Sequence, residues 1–263
     1  MKKIMIKIGW ICWLAVLVMG CSKGEDNCDP EDRSGPCYNG PGGAGELLLL
    51  EERVNGVKEL AFEYDQQNRV IVRHVFAKGD GGHFTNTFTY NAKGLMTGMS
   101  FYKEGEHVYS EEYVYGSGDR PVSGQLKFDD EVMEIRYSYS GNTVVEDTFN
   151  PTREVMEQNK YEFDAAGNPT RITFGIGTMW VTVQELGDYD DKTYRFTSYP
   201  WQWKLNSVNN ARDYKMFSNG ETLMYQDWKY TYNKQGYPIK IEIYNKADSK
   251  LFETREYEYI NAH

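Results

Sequence analysis

Side chains able to do chemistry are few in this chain, and their spacing suits none of the usual constellations. Gly116-Ser117-Gly118 lacks the spacing of a nucleophile elbow, no His-x-x-x-His or Cys-x-x-Cys occurs in the body, and no glycine loop ends in Lys-Ser or Lys-Thr. His74, His83, His107 and His263 share no paired spacing with one another or with cysteine, so no zinc set is expected. The acids at Asp129-Asp130-Glu131 and at Asp188, Asp190 and Asp191 could bind calcium or act as paired carboxylates. Neither group follows a calcium-loop pattern, and solvated turn charges are the expected reading in so acidic a protein. No catalytic residue, cofactor site or metal ligand is assigned, and no cofactor is expected. An enzyme enters only as an alternative: an envelope glycan-processing hydrolase whose carboxylates converge in three dimensions.

Aromatic residues give the better lead. Trp201 and Trp203 are two apart, so they share a face with Tyr199 if that segment is extended, and Trp228 lies nearby in sequence. Tyr199, Trp201, Trp203 and Trp228 are thus candidates for a flat platform on which sugar rings stack. The competing reading has these rings capping the open end of a sheet's core.

The cysteines point to the cell envelope. Lys2, Lys3 and Lys7 precede a stretch from Ile8 to Met19 that is apolar except for Gly9, long enough for a signal-peptide core and too short to span a bilayer. Leu17-Val18-Met19-Gly20-Cys21 resembles the lipobox of bacterial lipoproteins, which implies cleavage after Gly20 and acylation of Cys21. Cys12 is then discarded with the signal. Cys28 and Cys37 remain, close in sequence in an oxidising compartment, and a disulfide is favoured over free thiols.

From Ser22 to Gly45 the chain carries six glycines, three prolines and several acids with almost no apolar residue, the composition of a flexible tether. Its acids are similar to the export signal that carries some lipoproteins to the outer face of the outer membrane. No Asp directly follows Cys21, which disfavours retention at the inner membrane. Removing three lysines with the signal leaves 26 basic against 39 acidic residues, a charge near −13, so nucleic acid is excluded as a partner.

The body is organised by a repeat. Aromatic-x-aromatic doublets stand at Phe62/Tyr64, Phe88/Tyr90, Tyr113/Tyr115, Tyr137/Tyr139, Tyr161/Phe163, Tyr230/Tyr232 and Tyr257/Tyr259. The first five begin 26, 25, 24 and 24 residues apart; the next gap is 69, about three further periods, and the last is 27. Turn residues follow the doublets, as in Asp65 to Asn68, Asn91 to Gly94, Asp164 to Gly167 and Asn233 to Gly236. Mostly polar residues separate the paired aromatics, so each strand is half-buried. The only plausible short helices or long loops are Asn150 to Glu157 and Asn206 to Phe217.

Tyr64-Asp65 with Asn68-Arg69-Val70, and Phe163-Asp164 with Gly167-Asn168, resemble the YD repeats of RHS-like proteins, over most of residues 60 to 260. The resemblance implies a small lipoprotein with degenerate YD-like repeats. The expected fold is all-β, an antiparallel β-hairpin repeat or meander with a period of about 25 residues, forming an extended, twisted or rolled sheet. The expected organisation is a signal peptide over 1–20, a lipidated acidic tether over 21–45 and a β-repeat domain over 46–263. The expected function is a lipid-anchored envelope protein at the outer membrane, whose repeat module binds a glycan or an envelope protein or serves a structural role.

Overall fold

A computed structural model describes residues 46–77, 81–196 and 198–263. Sixteen strands follow one another: β1 (Leu47–Val54), β2 (Val57–Tyr64), β3 (Val70–Phe76), β4 (His83–Tyr90), β5 (Met96–Lys103), β6 (Glu106–Tyr115), β7 (Pro121–Phe128) and β8 (Glu131–Ser140). They continue as β9 (Thr143–Phe149), β10 (Val155–Phe163), β11 (Pro169–Ile176), β12 (Met179–Tyr189), β13 (Ala211–Ser218), β14 (Glu221–Tyr232), β15 (Pro238–Asn245) and β16 (Leu251–Asn261). Every strand pairs antiparallel with its sequence neighbours, and β1 pairs with β16.

The meander is as expected, but the sheet is neither extended nor rolled: it closes into a barrel. The reason is the edge. An open array would leave β1 and β16 with unpaired amides, whereas pairing them through Leu47↔Asn261 to Val54↔Arg255 removes both edges at once. No α-helix occurs among the described residues. Of the two segments expected as short helices or long loops, Asn150 to Glu157 is a turn followed by the start of β10, and Asn206 to Phe217 is loop to residue 210 and then β13. The 69-residue gap between doublets does not hold two complete repeats either; it holds β11, β12, β13 and a long insertion at 190–210.

The doublets define the inside. Phe62, Phe88, Tyr113, Tyr137, Tyr161, Tyr257 and Tyr259 are all buried in one core cluster. The second aromatic usually does a further job at the rim where the even-numbered strands end. Hydroxyls of Tyr64, Tyr90, Tyr115 and Tyr139 donate to the carbonyls of Leu49, Val70, Met96 and Pro121, near the start of the preceding strand. Tyr189, Tyr230 and Tyr259 repeat the bond to Pro169, Ala211 and Pro238.

The turns at this rim share a design as well. The Asp65 carboxylate accepts from the amides of Gln67 and Arg69, and Asn91, Asp164 and Asn233 do the same for residues two and four ahead. The residue three ahead must turn left-handed, which is why Gly94 (φ 79°), Gly167 (93°) and Gly236 (83°) stand there, with Asn68 (62°) as the tolerated substitute.

Candidate functional site

Sixteen strands enclose a lumen wide enough for a channel if left empty. Here residues 190–210, between β12 and β13, enter from the doublet rim and occupy it. Arg195 lies beside Glu52 of β1, its Nε 3.9 Å from the carboxylate, with its guanidinium 5.6 Å from the Tyr257 ring. Phe196 packs on Phe62 at 5.8 Å, and Trp201 meets Phe88 edge-on at 5.2 Å. Trp203 sits 4.9 Å from Tyr113 and 6.2 Å from Tyr137. At the far side Asn168 accepts from Ser207 and from the amides of Val208 and Asn209. The insertion thus lines the inner wall from β1 round to β11.

Trp201 and Trp203 are each 7% exposed, which fits the reading of these rings as core packing rather than as a surface platform. The Trp201 indole donates to the Tyr113 hydroxyl at 3.1 Å, and Tyr199 packs on Phe196 and Trp201. Trp228 faces the same interior, stacked on Tyr214 at 5.2 Å and donating to Gln226. Large aromatic rings in a wide lumen recover more apolar contact than a surface platform could, and that decides their place.

A charged cluster lies beneath these rings. Lys204 of the insertion makes a 2.6 Å ion pair with Glu146 of β9, both buried. Glu111 of β6 accepts from Tyr113, and Glu157 of β10 stands near enough to Glu146 and Lys204 to feel both charges. Burial pushes the Glu157 carboxyl up to about 7, with Glu146 adding to the rise and Lys204 opposing it. Burial pushes Glu111 up also, against the opposing pull of Lys204 and Tyr113. Three carboxylates therefore do converge in space, as the hydrolase alternative requires. They converge on a buried ammonium, however, and the place a substrate would need is filled by the chain itself.

The acids singled out by spacing are elsewhere. Asp190 accepts from the amides of Lys192 and Asn210 and from the Tyr232 hydroxyl, which makes it a brace for the root of the insertion. Asp188 and Asp129 have positive φ, and Asp191 pairs with Lys192 at 3.1 Å. Among the described residues, no group of three or more His, Cys, Asp or Glu is placed to hold a metal ion. His74 and His83, unrelated by spacing, meet on the outer face at 3.1 Å, with Glu63 2.9 Å from the other His74 nitrogen. Cys21, Cys28 and Cys37 lie outside the described residues.

Charged side chains recur over the outer wall, with single apolar residues such as Val114 and Val132 exposed among them. Glu63, Glu112, Arg136, Lys229, Glu256 and Glu258 face outward between the inward aromatics and are paired or solvated. Barrels that span a bilayer show the reverse, an outward apolar band roughly 25 Å tall around a polar interior. On β9 to β13 the outer wall is also concave, with a groove of about 480 Å³. Successive cross-strand partners Thr143, Glu162, Arg171, Glu185 and Lys215 form a row across it. Arg171 holds Glu185 at 3.0 Å and lies 3.9 Å from Glu162; Lys215 lies 3.9 Å from Glu185. Gly187, opposite Asp213, leaves the groove open at one side.

No protein-family model matches the sequence, and no curated protein matches it. Solved structures share the fold, and two of them are porin-like proteins. A porin-like protein of Bacteroides vulgatus is 14% identical, with 82% of this chain and 99% of that one covered at a TM-score of 0.51. A porin-like protein of Bacteroides uniformis is 11% identical, with 84% and 99% covered at 0.55. These findings overturn the resemblance to YD-repeat lipoproteins: the hairpin period is real, but it builds a closed sixteen-stranded barrel whose fold is similar to that of porin-like structures.

Proposed function

We propose that this chain is a cell-envelope protein whose barrel stands in water at the outer membrane and works as a binding or structural module, not as an open pore. The observation that carries the reading is the polarity of the wall: aromatics and a folded insertion fill the inside, while ion pairs and solvated charges recur over the outside. Burying such an outer wall in hydrocarbon would cost about 2–4 kcal/mol for each Lys or Arg near the midplane. The porin-like description of the neighbouring structures favours the outer membrane as its address. A barrel of this kind needs attachment from outside its wall, and the Leu17 to Cys21 segment offers it through acylation of Cys21, with residues 22–45 supplying reach.

Cell fractionation tests this. The wild-type chain is expected in the membrane fraction and resistant to alkaline carbonate, and Cys21→Ser is expected in the soluble fraction with its barrel intact. A Cys21→Ser chain that still resists carbonate, or ion conductance by the purified protein in a planar bilayer, would overturn the proposal.

A further inference from the structure

Further along β11 from the outer groove stands an indole. Alternation on β11 places Arg171, Thr173 and Gly175 on one face, outward with Glu162 and Lys160. Gly175 pairs with Trp180 of β12, and a Cβ at Gly175 would stand only 3.0 Å from the indole ring. One face of the ring therefore packs against the Gly175 backbone, a contact that any larger side chain there would crowd. Its other face is open: Trp180 is 43% exposed.

We propose that the outer face of β10 to β13 is a carbohydrate-binding surface for a neutral polysaccharide, with Trp180 as the stacking platform and the Glu162-Arg171-Glu185-Lys215 row as the hydroxyl-binding floor. An indole with one face held and the other free suits the apolar face of a pyranose ring. The row alternates acceptors and donors, and each sugar hydroxyl is both. The row lies across the strands at one end of this stretch of β11, so it meets the hydroxyls of the sugars at that end of a bound chain. Four residues along β11 separate Arg171 from Gly175, roughly 13 Å, which leaves room for a chain of two or three sugars between floor and platform. The charges of the row neutralise one another across the strands, so a strongly charged ligand finds no excess of opposite sign. The surface rests on the reading that the wall faces water.

Native gel electrophoresis of the full chain, in gels carrying galactomannan, xylan or dextran, with polygalacturonate as the charged control, tests it. Retardation is expected in at least one neutral gel. Trp180→Ala should weaken it at least tenfold, and Trp180→Tyr, which keeps a ring, should retain most of it. Gly187→Tyr fills the groove without touching Trp180, since a Cβ there meets nothing within 4 Å, and should weaken retardation comparably. Circular dichroism melting of each variant reports folding, and Trp180→Tyr carries the comparison if Trp180→Ala melts early. The proposal fails if no neutral gel retards the chain, if wild type and Trp180→Ala are retarded alike, or if only polygalacturonate acts and salt abolishes it. A carbonate-resistant Cys21→Ser chain would defeat the reading that the wall stands in water, a failure distinct from unretarded gels of a carbonate-soluble Cys21→Ser chain.

Discussion

The Tyr90 hydroxyl donates to the carbonyl oxygen of Val70 at 2.6 Å, tying the end of β4 to the start of β3. Equivalent bonds recur on every even-numbered strand except β10, where Phe163 has no hydroxyl to offer. The tyrosines thus hold the rim through which the insertion passes. Tyr90→Phe keeps the ring and removes the bond, so it should lower the unfolding free energy by about 1–2 kcal/mol. Urea denaturation monitored by far-ultraviolet circular dichroism measures this; an unchanged midpoint would mean the hydroxyl serves solvent as well as it serves Val70.

Trp201 separates packing from surface recognition. Its indole is buried against Phe88 and bonded to Tyr113, so Trp201→Ala should cost about 3–5 kcal/mol of stability. If Trp201 acted as an exposed sugar platform instead, the variant would melt like wild type and lose only ligand retardation. Paired melting and affinity-gel measurements on this one variant tell the two roles apart.

The repeat was legible because its physics is local. Alternation gives each doublet an inside and an outside, and Asp or Asn followed three residues later by Gly or Asn makes a turn whatever the sheet does. Closure was not legible, since pairing β1 with β16 depends on the accumulated curvature of all sixteen strands. Lys204 and Glu146 were missed for a different reason. Glu111, Glu146, Glu253 and Arg255 all fall on the inward beat set by Tyr113, Val144 and Tyr257, and a polar residue on an apolar beat is the signal that was available. The pairing of Trp180 with Gly175 across the hairpin was not legible either, because only the register reveals it.

Lys204 fixes the insertion in the lumen. Removing its ammonium leaves Glu146 buried without its cation, beside two further carboxylates, so Lys204→Met should destabilise the barrel by about 3–5 kcal/mol. Replacing both partners, Lys204→Met with Glu146→Leu, should recover much of that loss, because no uncompensated charge remains. A double-mutant cycle from urea denaturation gives the coupling. Simple additivity of the two single changes would show that the pair does not hold the insertion.

Glu157 should make the barrel more stable in mild acid than in mild base. Its carboxyl is raised from the ordinary 4.5 to about 7 by burial and then by Glu146, so folding favours its protonated form. That stabilisation is complete below about pH 4.5, fades as pH rises through 7 and is absent above, with an upper bound of about 3 kcal/mol. Glu111 is raised by burial as well and acts in the same direction. Asp65 and Asp164 oppose them only in strong acid: despite their burial, their bonds to Arg69 and Asn168 hold them below the usual carboxylate range. Between pH 5 and 8 the wild-type melting temperature should therefore fall, and Glu157→Gln should flatten the decline by being unable to ionise. A Glu157→Gln chain with the same slope as wild type would place the titrating group elsewhere in the lumen, with Glu111→Gln the next variant to measure.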